Sequence, residues 1–248
     1  MTDTPVLKVE NLTKSYGKKK AVSNVSFTVR RSELIGFLGP NGAGKSTTLR
    51  MIAGSLALSC GSISVMGYNI SEQPRLAKSL IGYLPELPPL YPEMTVKEYL
   101  RFACDLKNNT IKKGNAAGMD ADWVDSLIKD FKIENHMSVL IRNLSKGYRQ
   151  RVGLVAAMAG KPELLLLDEP ASGLDPRQIM ELRFVLKRIS EYMAIIVSSH
   201  GLHEISSFCS RIIIMNRGRI VADGQPDELA AGTSLEDVFI NLTDIEES

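Results

Sequence analysis

Nine consecutive residues, GPNGAGKST from Gly39 to Thr47, carry the spacing G-x-x-x-x-G-K-[ST] between an apolar run, LIGFL, and a helical pattern, TLRMIAGSL. Glycines at Gly39, Gly42 and Gly44, with Pro40, Asn41 and Ala43 between them, let backbone N–H groups wrap a phosphate. Lys45 is placed to reach the β and γ phosphates of a nucleotide, and the Ser46 hydroxyl, followed by Thr47, to ligate Mg²⁺. A glycine-rich turn without a ligand is the competing reading, and the strand before and helix after count against it.

A metal and a general base are the two parts such a loop lacks. LLLLDEP, Leu164–Pro170, supplies both at the end of a buried strand: Asp168 to hold Mg²⁺ and Glu169 to polarise an attacking water. AIIVSSH ends a second buried strand with His200, which the same sheet edge would turn toward the γ phosphate and the water. His136 and His203 have no such setting and read as structural or surface residues.

Two further stretches are ambiguous by themselves. In LSKGYRQ, Leu144–Gln150, a serine and a glycine stand at a helix mouth among cations, which suits an anion site and equally an ordinary N-cap. In SGLDPRQ, Asp175 is followed by Pro176 and, three residues on, Gln178; capping explains all of it locally.

The elements that must position these residues are short. Strand-like runs occur at VLKVE, AVSNVSFTV, LIGFL, GSISVMG, LIGYL, LLLLD, AIIVSS and RIIIMN, with helical patterns between several. Continuous apolar strands such as LLLL and AIIV imply a parallel sheet covered on both faces, hence an α/β class. The runs up to about Phe27 lack intervening helices and predict an antiparallel part over about 1–30. RIIIMNRGRIVADG reads as a hairpin turning at Gly218. From Leu87 to about Asn143 strand signals stop. TVKEYLRFACDL has Thr95 and Glu98 at capping-box spacing, and DADWVDSLIKDF puts Trp123, Leu127 and Ile128 on one face, predicting a helical subdomain over about 87–143 inserted in a core of about 31–86 and 144–240. KNNTIKKGNAAGMD between those helices reads as a surface loop. SLEDVFINLT reads as a short capped helix that ends the single domain, with no room for another after it.

Bulk properties exclude several classes. The 30 Lys and Arg nearly balance 28 Asp and Glu, giving net charge +2 and no electrostatic case for nucleic acid. The runs Lys18–Lys20 and Lys112–Lys113 read as solvated loops. Cys60, Cys104 and Cys209 are far apart, without a CxxC pair, so neither a zinc site nor a disulfide framework is expected and a reducing compartment fits. MTDTPVLKVE has no signal-peptide pattern, and no stretch of about 18 apolar residues predicts a membrane span.

These pieces, in this order, resemble the nucleotide-binding subunit of ABC transporters, over nearly the whole chain. The resemblance implies a phosphate-loop NTPase core of that type, with ATP and Mg²⁺. It implies an aromatic residue stacking on adenine, matched by Tyr16 in TKSYGKKKAV. It also turns LSKGYRQ into the family's signature, LSGGQ, so that Ser145 and Gly147 would bind the γ phosphate of ATP held by an opposite subunit in a head-to-tail dimer. Lys146 and Tyr148 depart from that pattern, and Lys146 would place a cation beside the γ phosphate. Where the family has a glutamine contacting Mg²⁺ and moving with the membrane partner, this chain has Glu86, a carboxylate that can ligate Mg²⁺ but cannot donate. Asp175 falls in the family's SGLD loop. LPELPPLYPEMTVKEYL, LSKGYRQR and DEPASGLDP look most like the ATPases of ABC-2-type exporters, including gliding-motility types. Implied partners are a second such subunit and an integral membrane permease, which would hold the chain against the inner face of the cell membrane. A soluble ABC ATPase acting on nucleic acid, ribosomes or cluster assembly is the alternative, and a subunit that binds ATP with little hydrolysis is a third.

Overall fold

The computed structural model describes residues 4–111, 121–230 and 232–243. A six-stranded sheet in the order β10-β9-β3-β8-β7-β6 forms its centre. Its members are β3 (Leu34–Leu38), β6 (Ile81–Leu84), β7 (Leu164–Leu167), β8 (Ala194–Ser199), β9 (Arg211–Asn216) and β10 (Arg219–Gly224). All neighbours run parallel except β9 and β10, which form the expected hairpin through Arg217 (φ 47°) and Gly218 (φ 78°). Positive φ at both central residues gives a turn whose twist matches that of the strands.

The second sheet is antiparallel, in the order β2-β1-β4-β5, built from β1 (Leu7–Tyr16), β2 (Lys19–Val29), β4 (Cys60–Val65) and β5 (Tyr68–Asn69). It therefore does not close near residue 30, as the sequence suggests: a segment beyond the phosphate loop returns to pair with β1. The run GSISVMG also ends earlier than its residue types imply, because Met66 (φ 48°) and Gly67 (φ 83°) turn the chain into β5.

Alternation along the central strands fills two cores. Ile35, Phe37, Leu164, Leu166, Ile196 and Ile213 face the antiparallel sheet and α1 (Lys45–Ile52), meeting Leu7, Phe27, Ile63 and Leu49. Leu34, Leu38, Leu165, Leu167, Ile195 and Ile214 face the helices on the other side: α3 (Val96–Ile111), α4 (Ala121–Asp130), α5 (Lys146–Met158) and α6 (Pro176–Ile189). Sandwiching between layers is why these strands read as unbroken apolar runs.

Helix starts follow the local chemistry. The Thr95 N–H donates to Glu98 Oε2 (2.8 Å) and the Glu98 N–H to Thr95 Oγ1 (3.3 Å), completing the capping box at α3. On α4, Leu127 is fully buried and Trp123 and Ile128 pack beside it, with the Trp123 indole N–H donating to Met158 O (3.0 Å). α3 runs to Ile111, through the first residues of the segment expected to be a loop; 112–120, with Lys112 and Lys113, lie outside the described residues. Four short helices, α2 (Pro74–Ser79), α7 (Leu202–Ile205), α8 (Pro226–Ala230) and α9 (Leu235–Thr243), complete the fold. Asp237 N–H donates to Ser234 Oγ (3.0 Å), capping α9 as its sequence implies. No helix among the described residues is long and apolar enough to cross a membrane.

Phe37 is fully buried, with its ring 5.8 Å from that of Phe27, where the two sheets meet. Phe37→Ala is expected to lower unfolding free energy by about 3–5 kcal/mol, measured by urea denaturation.

Candidate active site

β3 delivers the chain to Gly39, and α1 takes it away at Lys45. Between them three glycines adopt φ of 155°, 81° and 105° at Gly39, Gly42 and Gly44. Two of these are packed against backbone: a side chain on Gly39 would collide with Met215 O, and one on Gly44 would come within 2.7 Å of Ala21 O. Gly44 is the N-cap of α1, left-handed and without a side chain to cap, and the first turn carries no acidic residue. That helix start consequently keeps its N–H groups and partial positive charge for an external anion.

The other two helix starts of interest are satisfied internally. Tyr148 N–H donates to Ser145 Oγ at 3.4 Å at the head of α5. At the head of α6, Gln178 N–H donates to Asp175 Oδ1 at 2.9 Å while the Asp175 N–H donates to Gln178 Oε1 at 3.4 Å.

Lys45 is buried, its ammonium donating to Gly39 O (2.7 Å) and Pro40 O (3.3 Å) and lying 3.7 Å from Glu169 Oε1. Burial lowers its pKa from the usual lysine value, an effect opposed by the carboxylates of Glu169, Asp168 and Glu86. Beneath the loop, Asp168 Oδ1 accepts from Ser46 Oγ (3.0 Å) and from Ser198 Oγ (2.7 Å), and Ser198 Oγ accepts from the Glu169 N–H (2.9 Å). Glu169 stands in left-handed conformation (φ 48°), uncommon for a residue with a side chain. Its second carboxylate oxygen lies 2.9 Å from His200 Nδ1. Imidazole and ammonium thus meet the two oxygens of one carboxylate at the C-terminal edge of three adjacent strands.

A cleft of about 700 Å³ opens over this group, a size that suits a small-molecule ligand. Its walls include Tyr16, Asn41–Thr47, Glu86, Glu169 and His200, so the structure brings these expected residues together. Gly39, Pro40 and Asp168 stand directly behind them, in contact with Lys45 or Ser46. Tyr16 exposes half of its surface there, with Lys14 Nζ 5.2 Å from the ring centre. Ser145, Lys146, Gly147 and Asp175 are not part of this lining.

Other lining residues were not foreseen. Lys19, Lys20 and Ala21, at the start of β2, belong to the wall instead of to a solvated loop, and Ser172, Arg217 and Gly218 join them. The β9–β10 turn comes to the loop because the Gly218 N–H donates to Ala43 O (2.9 Å) and Gly218 O accepts from Ser23 N–H (2.8 Å). Ser198 was also missed, although a hydroxyl at the end of the apolar AIIVSS needs a buried partner. His136 stacks on Tyr148, centroids 3.8 Å apart, in keeping with a structural role.

A glycine loop joining a buried strand to an uncapped helix, with a hydroxyl and an aspartate beneath it, defines a phosphate-loop nucleotide-binding protein. The sequence comparisons narrow this class. The ABC transporter family profile matches residues 22–172, and the chain belongs to that family, whose ATP-binding subunits are ATPases. It is 37% identical over 224 residues to the uncharacterized ABC transporter ATP-binding protein YxlF of Bacillus subtilis, covering 90% of this chain and 72% of that one. Identity is also 37%, over 242 residues, to the linearmycin resistance ATP-binding protein LnrL of the same organism (96% and 75% covered). To the lipopolysaccharide export system ATP-binding protein LptB of Haemophilus influenzae it is 34% over 238 residues (95% and 97%). A solved structure described as the ATP-binding subunit of an ABC transporter superposes with a TM-score of 0.85 at 31% identity, covering 96% of this chain and 99% of that one.

Ser198→Ala removes the hydroxyl shared by Asp168 and Glu169 and leaves the Glu169 N–H without its partner. The expected result is a loss of about 1–3 kcal/mol in stability and a fall in kcat larger than any rise in KM, followed by thermal melting and steady-state ATPase assays.

Proposed function

We propose that this chain is the Mg²⁺-dependent motor of an exporter, working as a dimer on a separate membrane permease. The observation that carries the reading is the contrast among helix starts: α1 is left open to an anion above Asp168 and Ser46, while Ser145 and Gly147, the signature residues, lie outside the same cleft. One loop and one signature that do not meet within a chain fit two chains arranged head to tail, each completing the other's site.

In that scheme Tyr16 stacks on adenine, and the N–H groups of Gly42, Gly44 and the first turn of α1 hold the phosphates. Lys45 exchanges the carbonyls of Gly39 and Pro40 for phosphate oxygens. The donor set suits Mg²⁺: Ser46 Oγ and Asp168 Oδ1 are hard oxygen ligands 3.0 Å apart, with Glu86 in the same cleft. The ion would neutralise charge on the phosphates. Glu169 then takes a proton from the attacking water, and His200, 2.9 Å from that carboxylate, holds it in place. Ser145 and Gly147 of the second chain close the site.

Coupling to a permease is supported by the surface next to Glu86. Leu87 is 77% exposed and Tyr91 50%. They adjoin a groove of about 540 Å³ lined by Tyr83, Pro89, Tyr99 and Leu106. Docking there would hold the chain at the inner face of the membrane. The names of LnrL and LptB, a resistance protein and an export protein, support the direction of transport. The boundaries 1–30, 31–86, 87–143 and 144–240 are proposed as the parts that move in this cycle, with β4 and β5 added to the first.

Glu169→Gln is expected to trap an ATP-bound dimer on size exclusion; a monomer under saturating ATP and Mg²⁺ would count against the scheme. Glu86→Gln is expected to shift the Mg²⁺ concentration for half-maximal turnover by roughly fivefold, the ~1 kcal/mol that one charge exerts a few ångströms away in water. Unchanged Mg²⁺ dependence and turnover would remove Glu86 from the site.

A further inference from the structure

We infer that Lys146 is a positioning residue that ties the start of α5 to the turn carrying Glu169 in the same chain, an inference that rests on the function proposed above. Lys146 is exposed, and its ammonium lies beside Gly173. The side chain lies along Gly173, where an added Cβ would collide with Lys146 Nζ and would come within about 3 Å of Cε and Cδ. Gly173 has φ 73°, a left-handed backbone that favours glycine. The relation is reciprocal. A Cβ on Gly147 would stand 2.9 Å from the Oε1 of Gln178, whose own position is fixed by its capping box with Asp175. Each stretch therefore offers a bare glycine to the other's side chain, Gly173 to Lys146 and Gly147 to Gln178.

What this interlock holds is short and leads directly to the base. Ser172 precedes Gly173, lines the nucleotide cleft, and donates its N–H to Glu169 O at 3.0 Å. Glu169 needs such support, since its left-handed backbone is one that its own side chain disfavours. Beneath the seam, Gln150 Nε2 is buried without a hydrogen-bond partner, beside Leu174 and Gln178. This buried amide lies where the start of α5 and the turn before α6 pack together. Lys146 neighbours Ser145, the residue proposed to meet the other chain's nucleotide. Engagement of that nucleotide would thereby be felt at Glu169 of the same chain. A glycine at position 146 would carry no such arm.

Three variants of the full chain test this: Lys146→Gly, Lys146→Arg and Gly173→Ala, with the double variant Lys146→Gly/Gly173→Ala. Expected are a kcat lowered by roughly threefold or more in Lys146→Gly and in Gly173→Ala, KM within about twofold of the parent, partial recovery in Lys146→Arg, and a double variant no worse than the poorer single one. The Hill coefficient for ATP should fall in Lys146→Gly, which a loss of mere surface packing would not cause. Wild-type kcat in Lys146→Gly, or additive losses in the double variant, overturns the inference. So does loss of the ATP-bound dimer in a Glu169→Gln background on adding Lys146→Gly but not Gly173→Ala, because Lys146 would then grip the opposite nucleotide itself. A parent chain without ATP turnover overturns the proposed function, and the inference with it.

Discussion

The whole site depends on how closely the backbone of the phosphate loop is approached by other backbone. Ala21 O stands where a side chain on Gly44 or on Gly218 would have to be, Met215 O does the same at Gly39, and the Gly218 N–H bonds Ala43 O. Strands from both sheets thus converge on one loop through carbonyls and amides. Glycine is required for this convergence, and positive φ at Gly42 and Gly44 is required to turn the amides outward. Everything else in the cleft takes its coordinates from there: Lys45 because it begins α1, Asp168 because Ser46 bonds it, and Glu169 because it follows Asp168.

Charge is arranged by the same economy. Lys45 is buried among three carboxylates, and its ammonium is held by the loop's own carbonyls. Burial disfavours its charged form and the carboxylates favour it. A polyanion entering the cleft thus meets a cation that already has substitutes for phosphate around it and loses little order in exchanging them. Asp168 sits deeper and is bonded by two hydroxyls, so its position is fixed before any metal arrives.

Much of this was legible in the chain. Where a signal is local, sequence and structure agree: the glycine spacing, the capping boxes at Thr95 and Asp175, the Gly218 turn, the apolar runs of β7 and β8. What escaped is set by distant pairing. Nothing between Cys60 and Asn69 says that this hairpin will add to β1 instead of ending as an isolated strand, because register is decided by the partner's exposed edge. Lys19 and Lys20 look like solvated charge, and only the meeting of β2 with the β9–β10 turn makes them, with Arg217, a wall. Ser198 appears as the last polar letter of a strand, and its role follows from a neighbour thirty residues away. The contact of Lys146 with Gly173 links two stretches that are each complete as helix caps.

The β9–β10 turn has one more consequence. β10 is an edge strand, with one side of its backbone left unpaired within the central sheet. The turn that joins it to β9 is also the clasp on Ala43 and the mount for Arg217. Nucleotide grip is thereby tied to an edge of the central sheet. A bound nucleotide would act as the rivet that keeps this edge, β2 and the phosphate loop together.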